Sequence, residues 1–385
     1  MRRMGVPIAI LGLIAAAAGH AADWPTWRHD AGRTACSPEE LPAQMDVAWA
    51  HRLPAPRAAW PWNQYKLQFD ASYEPVAADG RLFVPSMVRD SVTAYDAATG
   101  KEEWRFHAEG PVRFAPAVAD GRLYFTSDDG CLYCLDAASG KRIFRFNAAP
   151  TVRRVLGNER MISTWPARGG PVVLDGTVYF AAGIWPFMGT LIYALDARTG
   201  DVTWENTGSG TMYLLQPHSS PAFANVAPQG YLAALGDALV IPGGRSVPAV
   251  YERATGAFRY YQGSTKEGDY AVAARDEWFL NGGFIHRVAD GQALTACSAT
   301  VIGDGEMYGL APEGVVVAQS LGKPTETVVT KKDKRGEDYQ VTEYAFPERW
   351  RLDTGLPLTR VHLRAGSRLY AAGREGLVAA IQLPP

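Results

Sequence analysis

Apolar and polar positions alternate along this chain in short runs, and the runs end in turn pairs such as Asp-Gly and Thr-Gly. A period of two with this punctuation predicts half-buried β-strands joined by tight hairpins. Numerous short strands fit the pattern better than long helices do. The runs also repeat. Glu74-Pro-Val-Ala-Ala-Asp79-Gly80-Arg-Leu-Phe-Val is followed by Ala94-Tyr-Asp96-Ala-Ala-Thr99-Gly100-Lys101-Glu-Glu-Trp104. Ala115-Pro-Ala-Val-Ala-Asp120-Gly121-Arg-Leu-Tyr-Phe leads in the same way to Cys134-Leu-Asp136-Ala-Ala-Ser139-Gly140-Lys141-Arg-Ile-Phe144. A third copy runs from Gly170 through Asp175-Gly176 to Asp196, Thr199-Gly200 and Trp204, and a weaker one keeps Gly236-Asp237, Thr255-Gly256, Phe258 and Tyr260. The repeat glycines 100, 140, 200 and 256 are separated by 40, 60 and 56 residues.

Each copy reads as one four-stranded antiparallel sheet: two strands about an Asp-Gly hairpin, a loop, a third strand, an Asp-x-x-Thr-Gly turn and a fourth strand. Gly100, Gly140 and Gly200 supply positive φ in that last turn, and Asp96, Asp136 and Asp196 bond backbone amides across it. Trp104, Phe144 and Trp204 are expected to dock between neighbouring sheets. These nine residues are read as structural, not catalytic. Sheets repeated at this period build an all-β propeller of four-stranded blades. Residues 270–297 and 299–350 read as degenerate copies. Residues 359–383 supply three strands, and residues 46–52 are expected to close the ring as the missing N-terminal strand. Counted this way the propeller has seven blades, with eight the alternative, in a single domain over 22–385.

The string Ala-x-Asp-x-x-Thr-Gly-Lys-x-x-Trp at residues 94–104, with its variants ending at Phe144 and Trp204, resembles the pyrroloquinoline-quinone (PQQ) repeat. That repeat builds the quinoprotein alcohol dehydrogenases and the outer-membrane barrel-assembly scaffold proteins. The likeness runs over nearly the whole of 22–385 and implies the propeller architecture. For the dehydrogenase branch it implies PQQ held over a ring of adjacent cysteines with calcium beneath. No adjacent cysteine pair occurs in this sequence, which points to the non-dehydrogenase, scaffold-like branch.

Composition narrows the function class. The chain has 385 residues, 47% hydrophobic and 20% charged, with a formal net charge of -2. It can bury a full core, and nothing pulls it toward nucleic acid. Gly 39, Pro 26, Trp 11 and Tyr 17 match a turn-rich β protein. Residues 1–21 read as a signal peptide, with Arg2 and Arg3, an apolar run over 6–18 and small residues before a cut after Ala21. The run is short for a bilayer span. A soluble periplasmic or secreted monomer is expected. Of the four cysteines, Cys131 and Cys134 lie three apart in a strand, point to opposite faces and should not meet. A disulfide between Cys36 and Cys297 is a possible pairing in an oxidising compartment.

Residues in excess of the repeat gather at one rim, the face where blade-to-blade connections and second-to-third strand loops open. They are 54–72 with Arg57, Trp60, Trp62, Tyr65 and Lys66; 147–169 with Arg153, Arg154, Trp165 and Arg168; 183–189 with Trp185 and Phe187; 206–229 with Tyr213, Gln216 and His218; and 243–246 with Arg245. From residue 147 onward these loops hold five arginines against one acid, Glu159. Guanidinium forks recognise carboxylate, sulfate or phosphate, and Trp faces stack on rings. Trp62, Arg153, Arg154, Trp165, Arg168, Trp185, Gln216, His218 and Arg245 are therefore candidates for binding an anionic small molecule, an acidic glycan or a periplasmic protein. The competing reading is that the aromatics pack the long loops and the arginines serve loop carbonyls. His218 with Tyr213 is the weak catalytic candidate, for β-elimination of a uronic-acid polysaccharide. The remaining histidines show no metal spacing, so no metal is expected. On the opposite face, residues 322–344 mix lysines with acids as a solvated hairpin. A binding module is the favoured function, with a glycan lyase or a PQQ-dependent oxidoreductase as the enzymatic alternatives.

Overall fold

The structure is a computed structural model describing residues 23–41, 46–64, 67–157, 159–208, 212–215, 220–224, 226–244, 246–261, 267–333 and 335–384. The leader at 1–21, with Tyr65, Lys66, Gln216, His218 and Arg245, lies outside the described residues. Seven sheets of four or more strands follow one another along the described chain, numbered 1 to 7 in chain order below. They span residues 76–107, 117–147, 169–206, 233–260, 273–296, 299–352 and 358–382. Together they form the all-β propeller that the repeat predicts.

Sheet 1 shows how the repeat folds. Val76–Ala78, Arg81–Ser86, Ser91–Asp96 and Glu102–His107 pair antiparallel in sequence order. Asp79 and Gly80 take φ of 50° and 72° in the first hairpin, as a tight primed turn needs. In the last turn Asp96 Oδ1 accepts the amide of Thr99 at 2.8 Å and its hydroxyl at 2.6 Å, which holds the Asp96 carboxyl below its ordinary value. Asp136 and Asp196 are held down by the same turn bonds.

The aromatic that ends each unit docks on the turn glycine of the next. Trp104 lies over Gly140 and donates Nε1 to Ala137 O at 3.1 Å; Trp204 lies over Gly256 and donates to Arg253 O at 2.9 Å. Phe144 lies over Gly200. A Cβ on Gly140 would stand 2.6 Å from the Trp104 ring, at a backbone φ of +68°. Gly140→Ala is therefore expected to cost about 2 kcal/mol, from left-handed backbone strain and a displaced indole. Its urea midpoint checks this, with the open turn glycine Gly80 as the comparison site.

Ring closure departs from expectation. Residues 46–52 form no strand. Sheet 7 instead gains Cys36–Ser37, parallel to its first strand Leu358–Ala365 and on the inner side. What residues 46–52 contribute is the aromatic: Trp49 sits over Gly100 of sheet 1 and donates Nε1 to Ala97 O at 2.9 Å, as Trp104 and Trp204 do farther round. A few residues earlier, Glu40 accepts the amide of Ser367 at 2.6 Å, and Arg368 donates to Leu41 O at 3.0 Å. The N-terminal chain thus holds sheet 7 by a short parallel ladder and by side-chain bonds, and reaches the outer turn of sheet 1 through Trp49.

Upstream, residues 24–35 line the inside of the ring and bond one innermost strand after another. Trp24 pairs with Ala77, Pro25 O accepts Val118 N, Ala31 O accepts Ala234 N, and Gly32 O accepts Ala274 N. Thr34 O accepts Ile302 N, and Ala35 O accepts Arg364 N. The guanidinium of Arg33 supplies the missing link to sheet 3 by donating to Pro171 O at 2.7 Å.

All four cysteines are unpaired, so the Cys36–Cys297 bridge does not form. Cys297 is buried against Met307. Cys131 and Cys134 do point apart: one packs with Phe125 and Tyr133, the other with Phe180 and Leu195. Burial pushes their thiols up to about 12 and about 11, which makes both inert packing groups. The 322–344 insertion is the exposed hairpin Thr325–Lys332 with Asp338–Ala345.

Candidate functional site

The insertions meet on one face. Residues 147–169 rise as the hairpin Arg154–Gly157 with Arg160–Ser163, and residues 206–229 as Met212–Leu215 with Pro221–Ala224. Trp165 ties the first insertion to loop 183–189 by donating Nε1 to Met188 O at 2.9 Å. Trp60, from 54–72, donates Nε1 to Gln229 Oε1 at 2.6 Å and meets Trp185 edge-on at 5.9 Å. Trp185 in turn lies 6.2 Å from Phe187. An aromatic row therefore runs from the ring outward, ending in Trp185 and Phe187 at 36% and 68% exposure.

Beneath that row lies a buried ion network. Arg113 joins Asp70 at 2.5 Å and Asp128 at 2.6 Å, and Arg168 takes Asp128 through Nε at 3.0 Å and Nη2 at 3.1 Å. All four side chains are 2% exposed or less. Burial raises the Asp128 carboxyl, but Arg113 and Arg168 more than offset it and leave it below the ordinary aspartate value. At Asp70 burial wins over Arg113, and the carboxyl stays raised. The Arg168 guanidinium also sits 5.9 Å over the Trp60 ring.

Of the rim arginines, Arg154 pairs with Glu109 at 2.9 Å, Arg160 with Asp90 at 2.5 Å and Arg168 with Asp128, while Arg153 is exposed. Three of the five charges that the loop sequences leave unbalanced are met by Asp90 of sheet 1, Asp128 of sheet 2 and Glu109 from the connection between them. Trp62 is exposed at 88%, and Trp165 is half-buried in its loop. Tyr213 faces solvent at 63%. Sequence reasoning missed Asp70, Arg113, Asp128 and Gln229. The Asp128-Asp129 pair in the second-to-third strand loop of sheet 2, absent from the other repeats, was the available signal.

The fold and this rim define a PQQ-like repeat propeller. The chain belongs to the family described as outer membrane protein assembly factor BamB, whose repeats match residues 26–164 and again 117–274. Among curated relatives, the quinone alcohol dehydrogenase subunit of Gluconacetobacter polyoxogenes is 31% identical over 34% of this chain and 19% of its own length. BamB of Nitrosomonas eutropha is 30% identical over 37% of this chain and 30% of its own length. This chain thus spans about a fifth to a third of the relatives it matches. The quinohemoprotein alcohol dehydrogenase of Comamonas testosteroni shares the fold, with a TM-score of 0.55, 16% identity, and coverage of 93% of this chain and 71% of that one.

A quinone can be tested against the residues present. On the side of sheets 1 to 3 the inner space is filled by the Asp70, Arg113, Asp128 and Arg168 side chains. Nearer the N-terminal segment Trp27 stacks on Tyr231 at 3.9 Å, with Phe114 edge-on at 5.0 Å. Beside sheets 5 to 7 the cavity lined by Arg28 and Arg360 holds about 90 Å³, against roughly 300 Å³ for the smaller cofactor pockets; the larger hollows, about 550 Å³ beside Cys36, Asp304 and Arg364 and about 420 Å³ beside Glu267, His286 and Asp290, offer no Trp, Tyr or Phe face for a flat ring. These residues do not form a slot for a flat tricyclic quinone.

Proposed function

We propose that this chain is a non-catalytic propeller scaffold that docks a protein partner through the apolar insertions of its rim. The observation that carries the reading is where large apolar side chains stand in solvent: Trp62 at 88%, Val152 at 91%, Leu156 at 73%, Phe187 at 68% and Leu215 at 65%, with Trp185 beside Phe187. All belong to insertions on one face of a rigid β scaffold. Exposed apolar clusters of this kind mark protein contact, and Trp anchors dominate such interfaces. The acidic-glycan reading is weaker, because three of its arginines already bond acids of this chain. The partner belongs to the periplasm or the exterior, where the leader at 1–21 would direct the chain.

A photo-crosslinking residue placed at Leu156, Trp185 or Phe187, and for comparison at Val328 or Tyr339 on the opposite hairpin, tests this in the producing cell. Discrete polypeptide adducts are expected from the rim positions alone. The pair Trp185→Asp with Phe187→Asp should weaken binding of the captured partner about tenfold or more without moving the unfolding midpoint. Adducts from neither face, or saturable binding of a uronic-acid polysaccharide that Arg153→Ala abolishes, would overturn the reading.

A further inference from the structure

The hairpin Arg154–Gly157 with Arg160–Ser163 stands over the rim of sheets 1 and 2 and is tied to both. Arg160 donates to Met87 O at 3.0 Å and pairs with Asp90 at 2.5 Å, and Ser163 N donates to Asp128 O at 2.7 Å. Leu156 and Met161 are directly opposite in its ladder, so they share a face, and both stand in solvent. With Val152, exposed just before the hairpin, they form an apolar knob. Three guanidiniums surround it. Arg153 follows Val152, and its carbonyl accepts Thr164 N at 3.0 Å. Arg89 lies in the second-to-third strand turn of sheet 1, next to the Val88 carbonyl that Arg160 holds at 3.3 Å. Arg57 is placed by Arg113, which donates to Arg57 O at 2.9 Å beside Asp128. Arg57, Arg89 and Arg153 are all exposed. The acids around them are engaged: Glu109 by Arg145 and Arg154, Asp90 by Arg160, and Asp128 by Arg113 and Arg168. Among the described residues of the hairpin, Glu159 is the exposed acid set against these three charges.

We propose that the partner segment docking on this hairpin is acidic and apolar, with Leu-like or aromatic anchors over the Leu156–Met161 knob and carboxylates over Arg57, Arg89 and Arg153. This rests on the docking role proposed above and names the chemistry of what docks. An apolar knob ringed by guanidiniums is complementary to apolar residues flanked by Asp or Glu, and a basic segment would meet like charge on three sides. Each guanidinium offers a carboxylate two parallel donors, so the ring fixes the register of the segment as well as its sign. Val152, Leu156 and Met161 give a sugar no flat ring to stack on, which favours a polypeptide over an acidic glycan at this place.

Panning a random-peptide display library on the full chain tests this, keeping the peptides whose binding Leu156→Asp removes. The sequences kept are expected to carry Asp or Glu within a few residues of Leu, Ile, Phe or Trp. One of them, made synthetically, should bind more weakly as sodium chloride is raised, because its ion pairs lie in solvent. Arg89→Glu with Arg153→Glu should weaken it about tenfold or more. The same peptide with its acids changed to lysine should regain binding to that variant, which a merely structural effect of the two substitutions would not produce. Both positions are exposed, so the unfolding midpoint should not move. Basic or uncharged sequences among those kept, no sequence kept at all, or binding unchanged in the charge-reversed variant overturns the proposal. The docking role itself stands or falls separately, on the crosslinks at Leu156, Trp185 and Phe187.

Discussion

Asp128→Ala is expected to destabilise the propeller by about 3–5 kcal/mol, the cost of leaving buried charges without their partner. The carboxylate accepts Arg113 at 2.6 Å and both nitrogens of an Arg168 fork. Its backbone also bonds Pro111 O and Ser163 N, so it pins the 147–169 insertion to sheet 2. Removing the side chain leaves two guanidiniums at about 2% exposure with only Asp70 to share. The acid limb gives a second readout. The folded Asp128 carboxyl lies below its unfolded value, so its contribution is present above about pH 4 and is lost as pH falls through the folded value. Asp70, with its folded value raised, works in the opposite direction and in the window above about pH 4. Urea midpoints at about pH 5 and at about pH 3 should therefore lie closer together in Asp128→Asn than in the parent. A loss under about 1 kcal/mol in Asp128→Ala would show that the insertion is held by its loop bonds alone.

How far the sequence disclosed this molecule depended on whether a bond needs a particular residue type. The Asp-x-x-Thr-Gly turn does, since an acceptor, a hydroxyl and a positive-φ residue must stand at fixed offsets, and so the sheets, their order and their docking aromatics were legible. Trp49 docks on the turn of sheet 1 as the repeat aromatics do, but residues 46–52 form no ladder, and the strand added to sheet 7 is Cys36–Ser37 on the opposite edge. The inner course of residues 24–35 left no signature, because carbonyls such as Pro25 O and Gly32 O bond strand amides whatever their side chains. The rim arginines misled by distance along the chain. Arg160 finds Asp90, 70 residues away, and Arg168 finds Asp128, 40 residues away. A charge count within one loop cannot see such partners.

The second large effect is expected at Arg33, which ties the inner N-terminal course to the ring. Its side chain is fully buried and donates to Leu232 O at 2.8 Å, Pro171 O at 2.7 Å, Trp27 O at 3.1 Å and the Thr26 hydroxyl. It also lies 5.8 Å from the Tyr231 ring, on which Trp27 stacks. Burial lowers the guanidinium to about 10, yet it stays charged at neutral pH. Methionine fills much of the same volume and offers no donor. Arg33→Met should cost about 4 kcal/mol, because the carbonyls of Leu232 and Pro171 lose their partner in the interior at about 1–3 kcal/mol each, and the Thr26 and Trp27 oxygens lose one as well. The loss should appear first as opening of the N-terminal course, since sheets 3 and 4 retain their own ladders. Hydrogen exchange at Val118, Ala234 and Ala274, whose amides bond that course, is expected to speed up before the ladder amides of sheet 3 do. Equal acceleration at both sets would mean that Arg33 holds the whole ring rather than its inner strap.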